Sequence, residues 1–137
     1  MNVKNEFIII ILILFTVLLL DGIMLYFLHG RWNKAITDIQ GESLSVRNKI
    51  FPVVAYILIV LGIRIFVYPY FVDGDIMKGL MMGFMWGIIT YGIFDFTNLS
   101  LFKDYPIGLA LFDTLWGGIL AALTGFILYI VTTKLKI

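Results

Sequence analysis

The chain has 137 residues, of which 61% are hydrophobic and 14% are charged, and its formal net charge is +1. A soluble domain averages about 45–50% apolar and about 25% charged residues, so this composition excludes an ordinary soluble domain and also a disordered chain. A net charge this close to zero argues against nucleic-acid binding. The length allows one domain, and we expect residues 1–137 to form a single integral membrane domain.

Four apolar segments are each long enough to cross a bilayer, which takes about 20 residues. The predicted spans are residues 7–28, 52–72, 76–98 and 106–131. The linkers after the second and third spans are short, and short linkers make neighbouring helices antiparallel. The sequence therefore predicts an all-α fold, a four-span transmembrane helix bundle with both termini on the same side. We expect a multi-pass integral membrane protein. Lysine and arginine are spread evenly over the two sides of the predicted bundle, so the positive-inside rule favours neither orientation.

The loop between the first two predicted spans, residues 29–51, contains one patterned segment. Four apolar residues in it follow the spacing i, i+3, i+4, i+7, namely Trp32, Ala35, Ile36 and Ile39. This spacing is typical of an amphipathic helix, and Gly41 stands where such a helix would end. We therefore predict a short interfacial helix in this loop, with Trp32 at the level of the lipid headgroups. The alternative is a solvated loop in which the spacing arises by chance.

Small residues recur at four-residue spacing in the third and fourth spans. The third span has Gly79, Gly83 and Gly87, and the fourth has Gly117, Ala121 and Gly125. Such stripes flatten one side of a helix and let the backbone of a partner helix come close, which matters where lipid removes most of the hydrophobic effect. The pattern predicts a packed hairpin of these two spans. The same faces could instead form a homo-oligomer or line a permeation path.

Four ionisable residues lie inside the predicted spans, namely Asp21, Arg64, Asp95 and Asp113. A charge at the bilayer centre costs a few kcal/mol, so these side chains should face the interior of the bundle. At a rise of 1.5 Å per residue, Asp21 and Asp113 lie about 10 Å, and Asp95 about 5 Å, below the surface that carries the first loop. We therefore predict one polar cluster in that leaflet, with Arg64 closing it from below.

The predicted cluster also includes three neutral polar residues, namely Thr97, Asn98 and Thr124. Thr97 and Asn98 follow Asp95, while Thr124 lies eleven residues after Asp113 and almost on the same helix face. Three carboxyl groups would then surround a single guanidinium, so we expect at least one aspartate to be protonated at neutral pH.

Catalytic and metal-binding residue types are scarce in this chain. It has no cysteine and one histidine, so we expect no metal site and no cofactor. No serine lies within a predicted span, and His29 stands alone at the end of one, so no nucleophile–base pair is evident. We therefore expect that the protein is not an enzyme.

Two motifs in the second half of the chain resemble a known family. They are YGIFDFTNL at residues 91–99 and DTLWG at residues 113–117. The pattern resembles the predicted membrane-protein family called domain of unknown function 2177, and Asp21 and the aromatic-Val-x-Pro motif at residues 66–69 also fit it. The resemblance implies four spans and no known activity. It also implies that six residues occupy the motif positions of the family, namely Asp21, Asp95, Thr97, Asn98, Asp113 and Trp116.

Three functions are compatible with the sequence. The first, which we predict, is a non-enzymatic structural or assembly subunit whose buried Asp/Arg/Thr/Asn cluster fixes the bundle. The second is a small proton- or ion-coupled transporter or channel that uses Asp21, Asp95 and Asp113. The third is an intramembrane enzyme that acts on lipid. The expected partners are the lipid bilayer and either a second copy of the chain or other membrane subunits, without nucleic acid.

Overall fold

The computed structural model describes residues 3–46 and 48–137, and the ordered secondary structure in them is entirely helical. Its elements are α1 (Val3–Gln40), α2 (Ile50–Gly62), a π-helical segment (Ile63–Val67), α3 (Tyr68–Val72), α4 (Ile76–Leu101) and α5 (Ile107–Leu135). Because α2, the π-helical segment and α3 are continuous, the chain has four helices that are long and apolar enough to cross a membrane. The predicted all-α fold with four candidate spans is thus confirmed.

Helix α1 is much longer than the predicted first span, and it corrects the prediction for the first loop. Residues 32–39 are helical, but they continue α1 and do not form a separate interfacial helix. The sequence before them has no strong breaker, since Gly30 costs only about 1 kcal/mol within a helix. The helix ends where Gly41 adopts a φ of +76° and donates its backbone N–H to the Thr37 carbonyl oxygen at 2.9 Å.

The second span changes its helical register at Pro69. Proline has no N–H, so it cannot donate to the carbonyl group one turn earlier. The preceding residue, Tyr68, donates its N–H to the carbonyl oxygen of Ile63, five residues back, and the helix widens into the π-helical segment. This segment contains Arg64 and directs its side chain. Helix α3 then ends at a turn in which Gly74 has a φ of +83°, and Asp75 caps α4 by accepting the Lys78 N–H at 3.0 Å.

Helices α4 and α5 form an antiparallel hairpin with very close backbones. A Cβ atom added at Gly87 would overlap the carbonyl oxygen of Gly117, and one added at Gly83 would lie 2.7 Å from the Cα of Ala122. The same added atom at Gly83 would lie 3.1 Å from the carbonyl oxygen of Ala121. Four small residues of the two predicted stripes therefore face each other or their immediate neighbours.

The two outer glycines of the stripes have a different role. A Cβ atom added at Gly79 would lie 2.8 Å from the aromatic ring of Phe71 in α3, and one added at Gly125 would lie 2.6 Å from it. Both glycines therefore pack against this ring. Phe71 is completely buried between the two helices. At one end the stripes therefore also make room for a side chain of the second span.

The apolar core is concentrated in one half of the molecule. We call this half, which includes the turn at residues 73–75, the Gly74 end, and the opposite half, which includes the linker at residues 102–106, the Tyr105 end. The largest fully buried apolar side chains are Phe71, Ile9, Ile13, Ile63, Leu120, Leu128, Val17 and Val67. The buried aspartates lie towards the Tyr105 end, and α4 packs mainly against α5.

Candidate functional site

Asp21 joins three helices through its carboxylate. It is 6% exposed, and its Oδ2 accepts a hydrogen bond from the Tyr56 hydroxyl of α2 at 2.6 Å. Its Oδ1 accepts a hydrogen bond from the indole Nε1 of Trp116 in α5 at 3.1 Å. Both carboxylate oxygens therefore have a donor, and each donor comes from a different helix.

Asp95 is held in the same manner on the other side of α5. It is 0% exposed, its Oδ2 accepts from the Thr114 hydroxyl at 2.9 Å, and its Oδ1 accepts from the Tyr105 hydroxyl at 3.1 Å. Burial of Tyr105 and the nearby charge of Asp95 raise the pKa of the Tyr105 phenol. This hydroxyl therefore remains protonated at neutral pH and continues to donate.

Asp113 lies between these two carboxyl groups but is bonded differently. It belongs to the same turn of α5 as Thr114 and Trp116, which donate to Asp95 and Asp21. Its charge interacts with both of those aspartates. Asp113 is 6% exposed, yet within residues 3–46 and 48–137 no side chain or backbone group is hydrogen-bonded to its carboxyl group. The structure thus brings three carboxyl groups together and leaves the middle one without a donor.

Two cavities adjoin at Asp113. The first, of about 340 Å³, is lined by Asp21, Met24, Leu25, His29, Trp32, Leu44, Tyr91, Phe94 and Asp113. The second, of about 330 Å³, is lined by Ala55, Leu58, Ile59, Thr90, Tyr91, Phe94 and Asp113. Tyr91, Phe94 and Asp113 are common to both cavities, so the two spaces adjoin at the unpaired carboxyl group. Apart from a few polar groups, the lining is apolar and aromatic.

A second polar group, on a residue that lines the first cavity, also has no partner. The indole Nε1 of Trp32 is buried, and among the described residues it has no hydrogen-bond acceptor. An indole N–H that is buried usually finds an acceptor. The residues that line the first cavity therefore include one with an unpaired acceptor, Asp113, and one with an unpaired donor, Trp32.

Arg64 is not part of this cluster, which corrects the prediction. Its Nε and Nη2 donate to the two carboxylate oxygens of Glu6 at 3.0 Å and 2.6 Å, near the start of α1. The guanidinium also lies 5.6 Å from the ring centroid of Tyr68. An arginine side chain is long, and this one extends from the π-helical segment towards the Gly74 end, where a carboxylate meets it in bidentate geometry.

The three neutral polar residues of the predicted cluster lie in different places. Thr97 is exposed on α4, and its backbone carbonyl accepts the Ser100 hydroxyl at 2.7 Å. Asn98 is half-buried beside the Tyr105 hydroxyl, at the edge of the Asp95 site. Thr124 is completely buried one residue before Gly125, towards the Gly74 end, and its hydroxyl has no partner among the described residues. Only Asn98 is therefore a neighbour of the aspartates.

The hydrogen-bond donors around the aspartates were the part that sequence reasoning missed. Thr114 and Trp116 do stand in the DTLWG motif, and Tyr105 directly precedes the fourth predicted span. Their proximity in sequence to Asp113 was a usable signal. Tyr56 offers no such signal, because it lies 35 residues from Asp21 and its role depends on how α2 packs against α1.

The arrangement can accept hydrogen bonds and attract positive charge, but its ability to hold a metal is limited. No group of three histidine, aspartate or glutamate side chains in residues 3–46 and 48–137 is placed to hold a metal ion. Asp21 and Asp95 already use both oxygens, which leaves the Asp113 carboxyl group available to a ligand or a proton.

Comparison of the chain with known proteins and protein families gives one match. No curated protein and no solved structure matches the chain. The model of the family described as predicted membrane protein (DUF2177) matches residues 6–130, which include all four candidate spans in large part and all three buried aspartates. The chain therefore belongs to the DUF2177 family of predicted membrane proteins.

Proposed function

We propose that this protein is a non-enzymatic membrane subunit in which Asp21 and Asp95 hold four spans in one fixed arrangement for assembly with other membrane components. The observation that carries the proposal is the bridging of these two carboxylates to other parts of the chain. Each of their four oxygens accepts a hydrogen bond from a residue on another helix or linker. A carboxylate whose two oxygens accept from different parts of the chain specifies how the helices pack.

The energetic argument favours a role in specificity. Hydrogen bonds between side chains in membranes are worth about 0.6 kcal/mol on average and about 1.7 kcal/mol at most. At the average value the four bonds together contribute about 2–3 kcal/mol. A wrong helix arrangement would leave buried carboxyl groups without donors, at a cost of about 1–3 kcal/mol for each. We infer that the aspartates exclude alternative packings of the same apolar helices.

We also propose a membrane topology. Four consecutive antiparallel spans would place both termini on one side, and reporter fusions at the two ends test this. Helix α1 has 38 residues and is about 57 Å long, whereas the hydrocarbon core is about 30 Å thick. Its last turns carry Arg31, Lys34 and Asp38, so we propose that this part, with Trp32, lies at the membrane surface.

The structural role is tested by comparing buried and exposed carboxyl groups. We expect Asp21→Asn and Asp95→Asn to lower the Tm of the purified protein in detergent and to broaden its size-exclusion peak, because an amide donor would face the existing donors. Asp73→Asn removes an exposed carboxylate from the turn before α4 and serves as the matched control. If all three variants behaved like wild type, the proposed structural role would be wrong.

One observation favours a second candidate, a proton- or ion-coupled transporter. Asp113 is buried, lacks a hydrogen-bond donor among the described residues and adjoins two cavities, as expected of a carboxyl group that binds and releases a cation. Proton and ion flux into liposomes that contain wild type or Asp113→Asn distinguishes the two functions. A flux that disappears in a folded Asp113→Asn variant would support transport, while no flux from wild type would support the structural role.

A further inference from the structure

We propose that the two cavities around Asp113 form one binding site for a lipid amphiphile with a primary ammonium headgroup that also carries an oxygen acceptor. The ammonium would donate to Asp113, the oxygen would accept from Trp32, and the apolar tail would leave between α2 and α4. This inference goes beyond the structural role, which depends on Asp21 and Asp95.

The charge of the site calls for a cation that donates hydrogen bonds. Asp21, Asp95 and Asp113 are close together, and the donors to Asp21 and Asp95 are neutral hydroxyl and indole groups. The Arg64 guanidinium is bound to Glu6 at the other end. Asp113 itself is more than nine-tenths buried, faces both cavities and has no donor within the described part of the chain. A primary ammonium supplies three N–H donors and the missing positive charge.

The aromatic and polar lining of the first cavity suits the remainder of such a headgroup. Trp32, Tyr91 and Phe94 line this cavity, and aromatic faces attract ammonium groups. The buried Trp32 Nε1 has no acceptor among residues 3–46 and 48–137 and would be satisfied by an oxygen atom beside the ammonium. An ethanolamine-type headgroup carries both groups a few bonds apart. His29 also lines the cavity, but it is exposed at the rim and is not paired with Asp113.

The second cavity provides the path for an apolar tail. It is lined by Ala55, Leu58 and Ile59 of α2 and by Phe94 of α4, and Leu58 is 62% exposed on the outer surface. In a chain with four candidate membrane spans, this opening faces lipid. Each cavity exceeds about 300 Å³, the lower limit of typical ligand sites, so together they have room for a headgroup and the first part of a chain.

The test measures binding of three probes to the purified full chain in an uncharged detergent. The probes are a single-chain ethanolamine phospholipid, the matching choline phospholipid and free ethanolamine, and binding is followed by tryptophan fluorescence and by native mass spectrometry. We expect the ethanolamine phospholipid to bind at least tenfold more tightly than either other probe, since the choline headgroup cannot donate N–H hydrogen bonds and free ethanolamine lacks the tail. Equal binding of the choline lipid would overturn the role of the ammonium, and equal binding of free ethanolamine would overturn the lipid as ligand.

Variants decide whether the observed binding occurs at this site. We expect Asp113→Asn to weaken binding of the ethanolamine phospholipid at least tenfold, while Asp73→Asn, which removes an exposed carboxylate far from the cavities, leaves it unchanged. Ala55→Phe keeps the carboxyl group but fills the second cavity from an exposed position, so it should also weaken binding, even if Asp113→Asn fails to fold. Wild-type affinity in Ala55→Phe, or in a folded Asp113→Asn variant, would refute the proposal.

Discussion

The two ends of the bundle are held together by different physics. At the Gly74 end, an aromatic side chain, Phe71, fills the space that Gly79 and Gly125 leave, and the surrounding core is apolar. At the Tyr105 end, Asp21 and Asp95 are bridged to their neighbours by hydrogen bonds, and cavities remain beside them. Lipid tails are as apolar as leucine, so helices in a membrane associate through close packing and hydrogen bonds. This molecule relies on close packing at the Gly74 end, where the hydrogen-bonded pair of Arg64 and Glu6 adds to it, and on hydrogen bonds beside open cavities at the Tyr105 end.

The two ends therefore differ in what they contribute to the fold. We expect close packing at the Gly74 end to provide most of the stability. Hydrogen bonds at the Tyr105 end determine the arrangement of helices while they tolerate open space, and that space borders Asp113, the one buried carboxyl group that lacks a donor among the described residues. The following substitutions test this difference, in order of decreasing expected effect on the free energy of unfolding in detergent micelles.

Phe71→Ala should have the largest effect, because it removes a completely buried ring that two glycines accommodate. Truncation of a buried phenylalanine costs about 3–5 kcal/mol. The measurement is reversible unfolding in a denaturing detergent, with Phe27→Ala as the matched control, since Phe27 is 77% exposed. Equal effects of the two substitutions would contradict the idea that this end provides most of the stability.

Gly87→Ala should have the next largest effect on the free energy of unfolding. The added methyl group would overlap the Gly117 backbone, so α4 and α5 must separate, and overpacking of this kind costs about 1–3 kcal/mol. Gly22→Ala, at a helix position with no atom within 4 Å of the added Cβ, is the control and should be neutral or slightly stabilising. A Gly87→Ala variant as stable as the control would show that the hairpin can relax.

The bond between Thr114 and Asp95 should have a smaller effect, measured by a double-mutant cycle. We expect a coupling energy of about 0.6–1.7 kcal/mol between Asp95→Asn and Thr114→Val, because the two side chains share one bond of 2.9 Å. Thr90→Val serves as the control partner, since Thr90 bonds only to its own helix, at the Trp86 carbonyl. Additive effects for Asp95 and Thr114 would mean that this bond does not specify helix packing.

The pair of Arg64 and Glu6 should have the smallest effect. Its side chains are 21% and 33% exposed, and we expect Glu6→Gln to cost about 0.5–1 kcal/mol. Exchange of the two charges in Glu6→Arg with Arg64→Glu should recover part of the loss, whereas either reversal alone should cost more. If Glu6→Gln cost as much as Phe71→Ala, the Gly74 end would depend on this ion pair as much as on its apolar packing.

The amino-acid sequence by itself determined the four apolar helices and the inward direction of the buried aspartates. The reason is energetic, since about 20 apolar residues match the bilayer and a carboxylate facing lipid is costly. Small residues at four-residue spacing also predicted the close approach of α4 and α5, because only a side chain of minimal size permits contact between backbones. These are properties of single helices, and periodicity and composition report them directly.

Only the tertiary structure decided which groups meet. Arg64 is bound to Glu6, 58 residues earlier in the chain, because its long side chain extends from the π-helical segment before Pro69 to the Gly74 end. Tyr56 reaches Asp21 only because α2 packs on α1, and no local pattern specifies that pairing. The depth of a residue in the membrane can be counted along its helix, because each residue adds the same rise. The rotation of each helix and the helices it contacts depend on the packing of all the helices together.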